Sequence, residues 1–205
     1  MTTRRGRFIV LEGADGCGKS TQARRLADSL EADGRTVVHV RDPGSTRVAE
    51  AVRDLLLDPA TGSLSVRTEA LLYMAARAQL AEEVILPAVA DGTIVVCERW
   101  TLSTEVYQGR AGGLGVDAVR RLAELAEGGA APDLTIVLDV AEGVGLTRLT
   151  GDPDRMESKG REFHADVVRS YRELAADHPR RRLLPTGSLD DVAAAVRAEV
   201  DRLVG

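Results

Sequence analysis

Cysteine is scarce here, with two residues in a chain of 205. Cys17 and Cys97 make no disulfide framework, and no C-x-x-C spacing offers a zinc site. A reducing, cytoplasmic setting is the expectation. An excess of basic charge is missing too. Lys and Arg total 27 against 32 Asp and Glu, for a net charge of −5. That balance argues against a general nucleic-acid binder, so any anion must be met by local arginines. No apolar run approaches the roughly 20 residues of a membrane span. Met1-Thr2-Thr3-Arg4-Arg5 leads straight into an apolar stretch, and no signal peptide is expected. Repeats and low-complexity linkers are absent, so one domain over residues 1–205 is expected.

What is present is a phosphate-binding pattern, G-x-x-x-x-G-K-[ST], in Gly13-Ala14-Asp15-Gly16-Cys17-Gly18-Lys19-Ser20. Phe8-Ile9-Val10-Leu11 before it reads as a buried strand, and Ala23, Leu26, Ala27 and Leu30 after it recur at helical spacing. Strand, glycine-rich turn and helix together make a chance match improbable. Gly16 and Gly18 let backbone N–H groups face inward around phosphate oxygens, helped by the helix N-terminus. Lys19 is placed for the β- and γ-phosphates and the Ser20 hydroxyl for Mg²⁺. Residues 13–21, through Thr21, are thus expected to hold a nucleoside triphosphate. Cys17, at the same helix N-terminus, is expected to carry a reactive thiol that MgATP protects.

Further strands read as Thr36–Val40, Thr93–Cys97, Leu134–Leu138 and, at an edge, Arg182–Leu184. Helical spacing runs from Val48 to Asp58, then, after a loop over Ala60–Val66, through Leu71, Leu72, Ala75 and Ala78 to Ile85 with a break or kink at Pro87, and through Thr101–Gln108. It resumes over Val116–Leu125, Glu142–Leu149 and Arg161–Asp177. Residues 109–115, with four glycines, read as a flexible loop. Ser188, with Asp191 three on, opens a last helix. Such alternation means a parallel sheet wrapped by helices, with ligands beyond the carboxyl ends of the strands. The phosphate loop, Arg41-Asp42-Pro43 and Glu98-Arg99 all follow strands, so they converge on one edge. Asp139 also ends a strand and rivals Glu98 as a metal-site carboxylate, although a helix-entry aspartate is the preferred reading.

A regulatory GTPase would need N-K-x-D, which is absent, and no D-x-x-G switch follows the phosphate loop. A transport or motor ATPase needs partner domains for which the chain is too short. A small-molecule kinase remains. Four segments resemble the bacterial thymidylate kinase family: Phe8 through Thr21, Arg41-Asp42-Pro43-Gly44-Ser45-Thr46, Glu69 through Gln79, and Glu98-Arg99-Trp100 with Leu102 through Gly109. The resemblance runs from Arg7 to about Val204. It implies an α/β P-loop NTPase fold with a five-stranded parallel sheet and a short lid over about residues 150–160. It also implies phosphoryl transfer from MgATP to dTMP, giving dTDP, by a homodimer. Another nucleoside or nucleoside-monophosphate kinase of the same fold is the alternative, and a nucleotide-binding switch is a further one.

The resemblance also assigns roles. Asp15 would accept the sugar 3′-OH, and Arg99 and Arg53 would grip the acceptor's 5′-phosphate with guanidinium forks. Tyr73 would stack on thymine and Arg77 would donate to a thymine carbonyl. On spacing alone Tyr73 reads as core, and Arg53 reads equally as a solvated helix face. Ser103, Thr104 and Gln108 would line the base, Asp42 and Pro43 the acceptor turn, and Tyr107 would pack beside C2′. Glu98 would stand near Mg²⁺. Arg148 and Arg155 would stabilise charge on the transferring group, with Lys159 and Arg161 in reserve. Gly16 stands where one branch of the family carries arginine. Other departures are Asp42 and Glu98, which exchange aspartate and glutamate, Trp100 for tyrosine or histidine, and Ser45 for glycine, which implies a turn without an obligatory glycine.

Overall fold

The apolar runs form a five-stranded sheet in the computed structural model, which describes residues 5–205; the N-terminal reading of residues 1–4 lies outside them. The strands are β1 (Arg7–Glu12), β2 (Val37–Arg41), β3 (Ile94–Glu98), β4 (Leu134–Asp139) and β5 (Arg181–Pro185). Their order is β2-β3-β1-β4-β5, and every pairing is parallel. The helices between them are α1 (Lys19–Ala32), α2 (Arg47–Leu57), α3 (Val66–Leu80), α4 (Leu86–Ala90), α5 (Thr101–Thr104), α6 (Val116–Glu127), α7 (Arg161–Ala176) and α8 (Leu189–Val204).

Strand alternation explains how both faces are covered. Ile9, Leu11, Val96 and Ile136 point to one side, where they meet Leu26 and Leu30 of α1, Val167 of α7 and Val196 of α8. Phe8, Val10, Val95 and Cys97 point to the other, against Leu80, Ile85 and Val89. Burying one such large side chain contributes about 1.5–3 kcal/mol. Trp100 closes this second cluster, edge-on to Phe8 at 5.1 Å. Capping follows the sequence: Thr46, Ser65 and Ser188 each accept the N–H three residues on, opening α2, α3 and α8. At α1 the cap is Gly18, with no side-chain partner, so the first N–H groups of that helix remain available to an anion.

Register sets the functional edge. Leu11 of β1 and Arg41 of β2 both pair with Glu98 of β3. The loops after three adjacent strands therefore start level with one another, at the point where the sheet order reverses around β1.

Four expectations need correction. Residues 142–149 are not a helix; they hold turns and one short 3₁₀ stretch, Leu146–Arg148. Gly143, at φ 77°, takes the chain out of helical geometry. Pro87 does not break the third helix, because a wider π-turn over Ala81–Ile85 precedes it and α4 continues beyond. A similar turn, Glu105–Ala111, extends α5 through Gly109 and shortens the glycine loop. Ser45 does occupy a left-handed position, φ 67°. Its hydroxyl accepts the Arg41 N–H at 2.9 Å and its own N–H donates to Glu50 at 2.6 Å. These bonds offset a conformational cost of about 1–2 kcal/mol.

Candidate active site

Two clefts open at the carboxyl edge of the sheet. The first is lined by Asp15, Asp42, Pro43, Arg53, Tyr73, Arg77, Arg99, Ser103, Thr104, Tyr107 and Gln108. All the residues named for the acceptor thus fall on one wall system, drawn from the loops after β1, β2 and β3 and from α2, α3 and the α5 region. The second cleft is lined by Gly16, Gly18, Lys19, Ser20, Thr21, Glu98 and Arg148, among others. Asp15, Asp42, Arg53, Arg99 and Asp154 line both.

Asp15 and Arg99 form the hinge between the clefts. The Arg99 guanidinium donates to an Asp15 oxygen, and the Tyr107 hydroxyl donates to the other at 2.7 Å. Lys19 Nζ stands 3.7 Å from Asp15. Burial opposes ionisation of Asp15, but Arg99, Lys19 and Tyr107 outweigh it and hold the carboxyl well below the usual range. Asp15 is therefore a pure acceptor. Arg99 also donates to the Gly13 carbonyl at 3.2 Å, Ser103 Oγ at 3.0 Å and Tyr171 OH at 3.2 Å. Its backbone sits at φ 68°, a left-handed conformation rare for a bulky residue.

Arg77, 1% exposed, donates through Nε to Asp42 at 2.8 Å and through Nη2 to Thr104 at 3.0 Å. The second Asp42 oxygen is buried without a donor among the described residues. Burial pushes the Asp42 carboxyl up against the pull of Arg77. Arg53 donates to the Pro43 carbonyl at 3.0 Å. Tyr73 lines the first cleft half-buried, and the loss of water around its hydroxyl raises the hydroxyl pKa.

On the phosphate side the Ser20 hydroxyl donates to Glu98 Oε2, and His39 Nε2 lies 3.0 Å from Glu98 Oε1. Burial would raise the Glu98 pKa, but these two bonds and the charges of His39 and Lys19 bring it below the usual value. Asp139 is engaged elsewhere, by Arg172 at 2.8 Å. The phosphate loop touches the segment after β4 through two glycines. A Cβ on Gly16, at φ 71°, would fall 1.9 Å from the Gly145 carbonyl oxygen, and one on Gly145 would fall 2.1 Å from the Asp15 oxygen.

A family profile described as Thymidylate kinase matches residues 11–192. The thymidylate kinase of Symbiobacterium thermophilum is 44% identical to this chain over 200 residues, covering 96% of this chain and 94% of that protein. That of Ectopseudomonas mendocina is 42% identical, covering 97% and 95%. That of Caldanaerobacter subterraneus subsp. tengcongensis is 43% identical, covering 92% and 91%.

The chain belongs to the thymidylate kinase family.

Its reaction is the phosphorylation of dTMP to dTDP, with ATP as the donor that a kinase of this family takes. The cationic candidates have different surroundings in the folded kinase. Arg155 lines neither cleft: Nε donates to the Leu56 carbonyl at 2.7 Å and Nη1 to Glu69 at 2.5 Å. Arg148 lines the phosphate cleft, 3.4 Å from the Gly16 carbonyl. Lys159 joins Arg155 on Glu69 at 3.0 Å. Gly13, Ala14 and Cys17 are buried members of the loop, and the Cys17 side chain, 4% exposed, packs into the core. A reagent would not reach that thiol, contrary to the reactivity expected for it.

Other residues of this thymidylate kinase escaped sequence reasoning. Glu12, fully buried, accepts from Trp100 N at 2.8 Å, Ser103 N at 3.0 Å, Ser103 Oγ at 2.6 Å and Tyr171 OH at 2.9 Å. Those bonds fix the loop that carries Arg99. Its one signal is a carboxylate closing an otherwise apolar strand. Tyr171 reads as core in an amphipathic helix. Glu69 also accepts from Gln108 at 3.0 Å, and nothing local announces that it gathers Arg155 and Lys159. Leu57, Asp154 and Met156 complete the acceptor cleft.

Proposed function

We propose that dTMP binds in the first cleft with its 5′-phosphate between Arg53 and Arg99, and that ATP lays its phosphates along Gly13–Thr21. The observation that carries this reading is the shared wall: Asp15, Arg53 and Arg99 line both clefts, so acceptor and donor phosphates meet there. Arg99, strained and held by four hydrogen bonds, is pre-organised to receive two anionic groups without reorganising. Asp15 stays ionised and accepts the 3′-OH, orienting the sugar. Arg77, fixed by Asp42 and Thr104, faces thymine, and Tyr73 stacks on it. Arg148, rather than Arg155, meets the charge of the transferring group.

Mg²⁺ fits the donor set. Ser20 and Glu98 supply hard oxygens at one wall of the phosphate cleft. Among the described residues no group of three or more His, Cys, Asp or Glu forms a cage. That suits an ion bound by one or two protein oxygens, phosphates and water. When bound, the ion neutralises charge on the β- and γ-phosphates.

We read residues 1–205 as one domain with a lid at about 150–160, and the working unit as a homodimer. Val48, Ala51 and Leu55 form an exposed apolar stripe on α2 beside exposed Leu71 of α3, which supports a second copy as the partner. A cytoplasmic setting fits two free, buried thiols. No described helix is long and apolar enough to cross a membrane.

The experiment is steady-state turnover with ATP across a panel of nucleoside monophosphates, with Lys19→Ala as control. Strong dependence on dTMP, loss of transfer in Lys19→Ala and an unchanged melting temperature are expected. Near-normal turnover by Lys19→Ala would remove the phosphate-loop assignment.

A further inference from the structure

Glu98 reaches the phosphate cleft with a side chain one methylene longer than aspartate. The extra torsion gives its carboxylate more positions to sample, and holding one of them requires partners. Two are present, on opposite oxygens: Ser20 on Oε2 and His39 on Oε1 at 3.0 Å. The sheet explains the second contact. Arg41 of β2 pairs with Glu98 of β3, and His39 lies two residues before Arg41. Alternation therefore puts His39 and Glu98 on the same sheet face, on neighbouring strands. Both side chains are partly buried, 26% and 16% exposed, so the bond is shielded but not sealed.

We infer that His39 is a positioning residue for this reaction: its Nε2–H fixes the orientation in which Glu98 presents a carboxylate oxygen to the divalent cation that accompanies ATP. The inference rests on the proposed metal role of Glu98. A carboxylate ligand without its outer partner must order itself on binding, and losing such a partner typically lowers metal affinity about 10–100-fold. His39 does not touch the cleft and lines neither wall, so its effect passes through Glu98 alone.

The test uses Mn²⁺ as probe, with its binding to the enzyme–ADP complex followed by electron paramagnetic resonance. Metal-free ADP affinity is measured alongside in EDTA. Wild type is compared with His39→Leu, His39→Gln and Glu98→Ala. His39→Leu is expected to weaken Mn²⁺ binding about 10-fold with metal-free ADP affinity unchanged. His39→Gln keeps an N–H within reach of Glu98 and is expected to recover most of the loss. If Glu98→Ala weakens Mn²⁺ binding and His39→Leu does not, the role of His39 is overturned while the metal role of Glu98 stands. If Glu98→Ala binds Mn²⁺ like wild type, both fall together. A loss of metal-free ADP affinity in His39→Leu, or no recovery in His39→Gln, would make His39 a structural residue and overturn the inference.

Discussion

Arg148 and Arg155 carry the same guanidinium to different partners, and their alanine variants should fail differently. Arg148 borders the phosphate loop, so Arg148→Ala is expected to lower kcat about 10²–10³-fold with little change in KM for dTMP. Arg155 is tied to Leu56 and Glu69 beside the acceptor cleft, so Arg155→Ala should raise KM for dTMP and lower the melting temperature. Steady-state kinetics of both variants decide; a kcat collapse confined to Arg155→Ala would return the charge-stabilising role to it. Tyr107 invites a second comparison. Its hydroxyl holds Asp15 while its ring packs under Arg99 at 5.3 Å. If the ring crowds C2′, a 2′-hydroxyl is desolvated without a partner at a cost of about 1–3 kcal/mol, or roughly 10–100-fold against the ribonucleotide. Tyr107→Ala should narrow that ratio of kcat/KM values, and Tyr107→Phe should keep it. An equal ratio in all three enzymes would make Tyr107 a core residue only. At this scale the strand, glycine-rich turn and helix around Lys19 were legible, because the eight residues are consecutive, whereas the burial of Cys17 was not. The partners of Glu12 and Glu69 were not, because residues as far apart as Glu12 and Tyr171 leave no local pattern.

The α3 helix and the segment before α7 meet at one carboxylate. Glu69, 1% exposed, accepts from Arg155, Lys159 and Gln108. Burial would raise its pKa, and the three partners hold it below the usual value instead. Glu69→Ala strands two cations, one of them in Arg155 at 10% exposure. Breaking a buried pair costs roughly 3–5 kcal/mol, and the lower end applies here because Lys159 can rehydrate. Denaturant titration should show that loss, with faster proteolysis inside residues 150–160. A change below about 1 kcal/mol would mean that this segment is held by other contacts. Elements were legible where periodicity was long, as in α1, α6 and α8. They were misread where apolar spacing met glycine, as at Gly143 and Gly145, or where π-turns absorbed a proline or a glycine that reads as a stop.

Across the whole molecule, the alternation of strands and helices was enough to imply the sheet and its functional edge. The strand order had to come from long-range pairing. The surface carries a further expectation. In a two-fold dimer each substitution is present twice, so Leu55→Glu should bring two charges into the α2 face. Light scattering should report a dimer for wild type and a monomer for the variant at micromolar concentration; a wild-type monomer would end the dimer proposal. The same view of the molecule gives the facing pair Gly16 and Gly145 a different weight. The loop backbone and the lid approach leave no room between them for even a methyl group. An arginine at position 16 would need that space and a left-handed backbone besides. Three residues past Gly145, Arg148 stands 3.4 Å from the Gly16 carbonyl. A side chain at position 16 is therefore expected to displace the Gly145 turn, and with it the stretch that carries Arg148, so an arginine borrowed from the other branch of the family should not graft alone. Only exchange of the loop together with the whole approach to the lid would carry the trait across.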